Sequence, residues 1–229
     1  MNNISKPSFK GNFDRYIFKS SKNNFINELK NKVLKTLKVE RLEEIHKEIN
    51  PKELNELRIE AFRSINLIDN WKKKLLELIS PEIYEILGLD LAIQKKLNIS
   101  IQMPGDENSV LEKHTDFRTG DSPFQRVIWI PLTNSFDTNS MFMENELGNY
   151  EPVKLNFGEF LIFDPNTKHG NVVNKTTKTR VSINIRIKNW FTPDLSDEAP
   201  DRQFGVYYED LCFSESTLRT FKILSNGNI

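Results

Sequence analysis

The stretch that decides the fold class is RVSINIRI, residues 180–187, in which polar and aliphatic side chains alternate without interruption. Successive side chains of a β-strand point to opposite faces, so this pattern predicts a strand with one polar and one aliphatic face. We expect the aliphatic face to pack beneath helices and the polar face to line the interior of a barrel; a polar face that meets water is the alternative. The polar face carries Arg180, Ser182, Asn184 and Arg186.

The rest of the C-terminal half contains further strand candidates. Residues 97–103 alternate in the same way, and residues 126–132, 140–143 and 157–163 are short runs rich in apolar side chains. Turn-forming residues separate these runs, and no helical pattern lies between them. Many short strands without intervening helices indicate an antiparallel barrel or jelly roll.

Before residue 95 the apolar residues recur at helical spacing instead. The helical runs cover residues 25–37, 42–49 and 54–68. Asn50-Pro51 and Ser80-Pro81 each place an N-cap residue before a proline, and Gly88 is typical of a helix end. These signals predict several helices in front of the strands.

The fold class that follows is mainly β with a helical N-terminal region. We expect a single domain with a double-stranded β-helix (jelly-roll, cupin-like) core flanked by helices. Its parts are a helical flank at residues 1–95, the core at 96–190 and a C-terminal extension at 191–229. The extension, which begins with a loop at residues 193–200, is expected to act as a lid, as a dimer element or as a cover packed on the barrel.

Composition excludes several classes of protein. The 229 residues are 38% hydrophobic, which argues against disorder, and 32 Lys and Arg balance 32 Asp and Glu, which disfavours nucleic-acid and membrane-surface partners. Residues 1–7 are polar and lack the apolar part of a signal peptide, and no apolar run approaches the ~20 residues of a membrane span. The single Cys212 fits a reducing, cytoplasmic location.

Two of the three histidines are followed, two positions later, by a carboxylate. His46 and Glu48 lie in a helical run, where residues two apart point in opposite directions and cannot share an ion. His114 and Asp116 lie in the strand-rich half, where residues two apart share a face. With His169 they make two imidazoles and one carboxylate, the facial triad of non-haem Fe(II) oxygenases. Zinc hydrolysis uses similar ligands and stays open at this point.

A carboxylate-binding pair follows the third histidine. Eleven residues after His169, Arg180 and Ser182 open the alternating strand, and a guanidinium group matches a carboxylate bidentately. The order His114-x-Asp116, His169, Arg180-x-Ser182 resembles the Fe(II)/2-oxoglutarate-dependent dioxygenases of the double-stranded β-helix fold, over roughly residues 96–188. The run WIPLT that begins at residue 129, with HGN after position 168, is similar to the phytanoyl-CoA-hydroxylase-like branch and its StrG-like proteins of sugar and antibiotic biosynthesis.

The resemblance implies roles for these residues. The three ligands would be the catalytic centre and bind Fe(II), with 2-oxoglutarate and O2 on the open positions. Arg180 would pair with the distal carboxylate of 2-oxoglutarate, and Ser182 would add a hydroxyl group. By the same analogy, Gln102 is expected to contact this cosubstrate.

Further polar residues are candidates for contacts with the substrate. Arg118, Arg126 and Arg186 offer guanidinium groups to a phosphate or carboxylate, although each has an alternative structural role. Asn184 shares the polar face of the last strand, and Asn139 either binds substrate or cosubstrate or forms a turn.

We therefore expect an oxygenase that hydroxylates a small polar metabolite, such as a sugar, cyclitol, amino acid or biosynthetic intermediate. Its partners would be small molecules, without nucleic acid or membrane, and a homodimer is an option. One alternative is a cupin-type metalloenzyme that does not use 2-oxoglutarate, which has no need of Arg180 near the metal. The other is a non-catalytic jelly-roll binding protein whose histidines are incidental.

Overall fold

The alternating stretch forms the central strand of the larger of two sheets. The structure is a computed structural model that describes residues 15–19, 24–194 and 200–225. Two segments discussed above lie outside the described residues. They are the polar residues 1–7, expected not to form a signal peptide, and most of the loop expected at 193–200. The strands are β1 (Arg15–Lys19), β2 (Leu91–Gln94), β3 (Asn98–Gln102), β4 (Gln125–Pro131), β5 (Phe142–Glu144), β6 (Tyr150–Pro152), β7 (Glu159–Phe163), β8 (His169–Gly170), β9 (Arg180–Asn189) and β10 (Tyr208–Cys212).

Every pairing between two of these strands is antiparallel, as a jelly roll requires. The main sheet has the order β1-β7-β4-β9-β2-β10, and β3 also pairs with β9. The smaller sheet has the order β6-β5-β8. The predicted fold class is therefore confirmed: a jelly-roll core with a helical N-terminal region.

The helices lie mostly before the core. They are α1 (Asn24–Leu37), α2 (Ile45–Glu48), α3 (Leu54–Ile65), α4 (Trp71–Ile79), α5 (Glu82–Leu87) and, near the C-terminus, α6 (Glu215–Ser225). Residues 1–95 also supply β1 and β2 to the main sheet, which the helical spacing did not indicate. No helix in the described ranges combines the length and the apolar character needed to span a bilayer.

The two predicted helix caps behave differently. Asn50 accepts a hydrogen bond from the backbone N–H of Lys52 at 3.0 Å and so caps the short turn that begins at Pro51, as expected. Ser80 instead donates from its hydroxyl to the carbonyl of Leu76 at 2.7 Å. Ser80 therefore closes α4 rather than capping α5, and that prediction was wrong.

The two faces of β9 divide the molecule as expected. Val181, Ile183, Ile185 and Ile187 are fully buried in one apolar cluster with residues of α1, α3 and α4. A second cluster fills the space between the sheets and includes Val127, Trp129, Met143, Leu161 and Phe163. The polar face of β9 consequently points into the jelly roll, where it lines a cavity.

The C-terminal extension packs onto the core through its strand. β10 pairs with β2 at the end of the main sheet, and Tyr208 is fully buried there. In contrast, α6 buries none of its side chains. The described part of the extension is thus an added strand and a peripheral helix, and its expected roles as a lid or dimer element stay predictions.

Candidate metal centre

The two candidate metal-binding histidines lie side by side because their backbones pair. The N–H of His114 donates to the carbonyl of His169 at 2.9 Å, and the N–H of His169 returns a bond of 2.9 Å to the carbonyl of His114. Their ring centroids are 4.5 Å apart. One extended pairing therefore brings together ligands that are distant in sequence.

Asp116 completes the triad. Its Oδ1 lies 3.5 Å from Nε2 of His114 and 3.4 Å from Nε2 of His169. One ligand atom from each of the three residues lies within 4.8 Å of the others. The spacing of His114 and Asp116 in an extended segment therefore has the geometric result that the sequence predicted.

Both imidazoles present the correct nitrogen to an ion. Nδ1 of His114 is 2.7 Å from the carbonyl of Glu112, and Nδ1 of His169 is 2.9 Å from the carbonyl of Thr167. A carbonyl oxygen only accepts, so each Nδ1 carries a proton, and Nε2 is the nitrogen of each ring that faces Asp116 and could bind a metal. This donor set fits a divalent cation such as Fe(II) or Zn(II).

The carboxylate of Asp116 is oriented by Arg186. Nη2 of Arg186 donates to Oδ2 of Asp116 at 2.8 Å, which leaves Oδ1 toward the histidines. Burial alone would raise the pKa of Asp116, but contacts with His114 and His169 and the charge of Arg186 outweigh it and hold the pKa far below its usual range. Asp116 is therefore an ionised, buried carboxylate that could serve as a ligand.

A second carboxylate, which the sequence analysis missed, supports Arg186. Nε of Arg186 lies 2.9 Å from Oδ2 of Asp121, and Nε of Arg202 lies 3.4 Å from Oδ1 of the same group. The guanidinium group of Arg202 also lies 4.4 Å from the ring centre of Tyr207. The network thus extends from the metal centre to the C-terminal extension. Asp121 sits in an irregular loop, where no periodicity could indicate its direction.

A cavity of about 140 Å³ joins the triad to the polar face of β9. It is lined by all three candidate ligands and by residues that include Ser100, Trp129, Arg180, Ser182, Asn184 and Arg186. The structure therefore brings together the triad and four of the other residues that the sequence selected.

Arg180 is an unusual feature of this cavity. Its side chain is almost fully buried, with Nη2 3.3 Å from Oγ of Ser100 and the guanidinium group 5.8 Å from the ring centre of Trp129. Among the described residues no carboxylate pairs with it, and Ser182 Oγ is buried without a hydrogen-bond partner. Burial, together with the charge of Arg58, lowers the pKa of Arg180 to about 10, so the group is charged at neutral pH.

Gly170 allows the two histidine-bearing segments to approach. A Cβ at this position would lie 2.7 Å from the carbonyl oxygen of Leu111 and 2.7 Å from Oη of Tyr150. The backbone oxygen of Leu111 does not move easily, so a side chain here would push the segment of His169 away from the segment of His114.

Other predicted site residues lie elsewhere. Gln102 pairs with Arg180 across β3 and β9, but its Nε2 donates to the carbonyl of Val172 at 2.6 Å and the residue does not line the cavity. Asn139 accepts from the backbone N–H of Phe136 at 2.8 Å, which is the turn-forming alternative.

Two of the predicted arginines also fall outside the cavity. Arg126 precedes Val127 on β4, so it lies on the opposite face, and its Nη1 is 3.3 Å from Oδ2 of Asp164. The structure therefore does not bring Arg126 to the substrate side. Arg118 is exposed and lines a neighbouring pocket that also includes His114. His46 lies on α2, as expected away from the metal centre, with Nδ1 2.9 Å from Oγ1 of Thr179.

Known proteins resemble this chain in part of its sequence and in its fold. No protein-family model matches the chain. Streptomycin biosynthesis protein StrG of Streptomyces griseus is 36% identical over 95 residues, which are 41% of this chain and 43% of StrG. The chain thus aligns with less than half the length of this curated relative.

Two solved structures of ThoJ, a non-haem monooxygenase, share the fold. The metal-free form superposes with a TM-score of 0.59 and 14% identity, covering 92% of this chain and 90% of ThoJ. The nickel complex gives a TM-score of 0.55 and 16% identity, covering 78% and 74% of the two chains. Over those 95 residues the chain is similar in sequence to StrG, and its fold is that of ThoJ. The predicted resemblance to StrG is therefore confirmed over those 95 residues, the jelly-roll class is confirmed, and the candidate triad lines the cavity of the jelly roll.

Proposed function

We propose that the protein is an Fe(II)- and 2-oxoglutarate-dependent oxygenase that acts on a small polar metabolite. The observation that carries the proposal is the buried Arg180, which shares one cavity with His114, Asp116 and His169. A metal triad alone is compatible with many enzymes, but a buried cation without a carboxylate partner beside it favours an anionic cosubstrate.

The triad would hold the iron. Two neutral imidazoles and one carboxylate form the ligand set of non-haem Fe(II) oxygenases, which leaves positions open for other ligands. The bond from Arg186 to Oδ2 of Asp116 favours a single carboxylate oxygen as ligand, which conserves those open positions. Backbone carbonyls hold both imidazoles in the required tautomer.

Arg180 and Ser182 would hold the distal carboxylate of 2-oxoglutarate. They share a face of β9, and each has buried hydrogen-bonding atoms without a partner among the described residues. A carboxylate between them would satisfy the guanidinium fork and the hydroxyl group together. Iron, 2-oxoglutarate and O2 supply the oxidising chemistry when bound; the chain binds and orients them and excludes water.

Two alternatives are less well supported. A cupin-type metalloenzyme without 2-oxoglutarate has no use for a buried Arg180, whose desolvation is costly unless an anion pairs with it. A non-catalytic binding protein does not require ligand atoms of two histidines and an aspartate within 4.8 Å of one another.

The test is an anaerobic titration of the purified protein with Fe(II) and then 2-oxoglutarate, monitored by the visible charge-transfer absorption of the chelate. We expect a saturable band in the native protein. Arg180→Gln should weaken the binding of 2-oxoglutarate by about 100-fold, because truncating one partner of a buried charge pair costs about 2–5 kcal/mol of binding free energy. Arg63→Gln, which alters an exposed arginine on α3, is the matched control.

Metal binding is tested separately by thermal unfolding. A metal that binds only the folded protein raises its stability by about 2.7 kcal/mol at 100 times the dissociation constant. Fe(II) under argon should therefore raise the Tm of the native protein and leave the Tm of Asp116→Ala unchanged. Iron binding without a 2-oxoglutarate band would overturn the cosubstrate assignment and leave the cupin-type alternative.

A further inference from the structure

The catalytic cavity is too small to enclose a substrate as well as a cosubstrate. Its volume of about 140 Å³ is well below the roughly 300–1,000 Å³ of pockets that enclose drug-sized ligands. A metabolite that reacts at the metal therefore extends into an adjoining space. Two pockets share lining residues with the cavity, one through His114 and one through Asn184 and Arg186.

The pocket beside His114 is cationic. It has a volume of about 340 Å³ and is lined by Lys113, His114, Thr115, Arg118 and Lys168. No acidic side chain is among these lining residues. We refer to this space as the cationic pocket. It lies against a metal ligand, so a group bound there is held next to the reacting centre.

The two lysines of the cationic pocket are held by one carboxylate. Oε1 of Glu144 lies 3.0 Å from Nζ of Lys113, and its Oε2 lies 3.3 Å from Nζ of Lys168. Nζ of Lys113 also lies 4.9 Å from the ring centre of Tyr150. Glu144 is 13% exposed, whereas the two lysines are 40% and 47% exposed, so the carboxylate lies behind the ammonium groups. The two lysines are thus positioned before any ligand arrives.

Arg118 adds a cation without an acidic partner among the described residues. Three positive charges and the single charge of Glu144 leave an excess of two positive charges at the pocket. A phosphate monoester carries close to two negative charges at neutral pH and three acceptor oxygens. The charge and the donors of the cationic pocket therefore match this group.

The other pocket lacks free cations. It has a volume of about 420 Å³ and includes Arg58 and Arg186 together with apolar side chains of α3. Arg186 is bound by Asp116 and Asp121, and Arg58 contacts the carbonyl of Ile101 and the carboxylate of Asp106. Of the two pockets, only the cationic pocket therefore offers an anionic group positive charge that is not already neutralised by carboxylates.

We infer that the cationic pocket binds a phosphate monoester group of the prime substrate, which makes the substrate a phosphorylated small metabolite. This inference rests on the proposed function, because it places the remainder of the metabolite at the metal. Lys113, Arg118 and Lys168 bind the phosphate group, and Glu144 is a positioning residue for the two lysines.

The test measures binding of inorganic phosphate to the anaerobic Fe(II)/2-oxoglutarate complex by calorimetry at constant ionic strength, with malonate as a carboxylate probe. We expect saturable phosphate binding that weakens as salt rises. The double variant Arg118→Gln/Lys168→Gln should bind phosphate at least tenfold more weakly, because charge-assisted hydrogen bonds are lost. It should retain the 2-oxoglutarate band. The control Lys74→Gln removes a lysine that pairs with Glu28 on the helical layer and should bind phosphate normally.

Each outcome decides the inference. Selective loss of phosphate binding in the double variant supports it. Equal binding by native and double variant, tighter binding of malonate than of phosphate, or no saturable binding by a complex that shows the 2-oxoglutarate band overturns it and leaves the proposed function intact. If the band itself is absent, the proposed function fails; phosphate binding is then measured on the metal-free protein, where the same comparison of variants applies.

Discussion

Arg186 donates from Nη2 to Oδ2 of Asp116 at 2.8 Å, and so one strand of the main sheet holds the carboxylate of the metal centre. The same guanidinium group contacts Asp121 through Nε at 2.9 Å. The polar face of β9 therefore carries two arginines in different settings: Arg180 lines the site of the proposed cosubstrate, and Arg186 orients the carboxylate of a candidate metal ligand.

Arg186→Gln should weaken metal binding by about 10- to 100-fold, the range typical for the loss of a residue that orients a ligand. The physical reason is that Asp116 loses the bond that directs Oδ1 toward the histidines. Calorimetry with Co(II), whose visible spectrum also reports coordination geometry, measures the effect. Unchanged affinity and an unchanged spectrum would show that Arg186 is only structural.

Asp121→Asn should weaken Co(II) binding less than Arg186→Gln, since it acts through Arg186 rather than on the ligand. The two substitutions should be non-additive, with a coupling of about 0.5–3 kcal/mol, because both disrupt one network. A double-mutant cycle measures this coupling. Strictly additive effects would mean that Asp121 and Arg186 act independently.

Gly170→Ala should separate the histidine-bearing segments, because its methyl group would lie 2.7 Å from a backbone oxygen. We expect a loss of about 1–3 kcal/mol in the free energy of unfolding and weaker metal binding. In the control Gly148→Ala the added carbon has nothing within 4 Å, so this variant reports only the cost of placing alanine at a positive φ of 78°. Metal affinity that falls equally in both variants would contradict the explanation.

Ile185→Ala should lower the free energy of unfolding by about 2–5 kcal/mol, because this fully buried side chain packs between the main sheet and the helices. Urea unfolding monitored by circular dichroism measures the loss. Ile59→Ala, on the partly exposed surface of α3, should cost much less. Similar losses in both variants would mean that the helical layer contributes little to the core.

The strongest periodic signals predicted the fold well, for a physical reason. In β9 the polar and aliphatic faces differ completely, so the direction of Arg180 and Arg186 follows from residue parity. In β4 nearly every side chain is apolar, so the sequence offered no contrast between faces, and it did not decide between the two roles considered for Arg126, which lies outside the cavity. Short strands such as β8, which consists of two residues, form through pairing with distant segments and leave little local pattern.

The candidate site was predictable where ligands are few and misjudged where geometry is irregular. With three histidines in the chain, one of them on a helix, the triad followed by elimination. Asp121 and Glu144 escaped notice because their roles depend on contacts from remote segments. The direction of such contacts is set by tertiary packing, which a periodic pattern does not encode.

The contrast between the two faces of β9 also restricts which changes of sequence this strand tolerates in evolution. A single-residue insertion or deletion within residues 180–187 would turn every following side chain of the strand to the opposite face. Aliphatic groups would then enter the cavity beside the candidate metal centre, and guanidinium groups would enter the apolar layer under the helices. The lining of the cavity and the packing of the core would be lost together. Lineages of this protein should therefore vary along β9 by exchanging residues of like polarity, while gains and losses of residues accumulate in the loops.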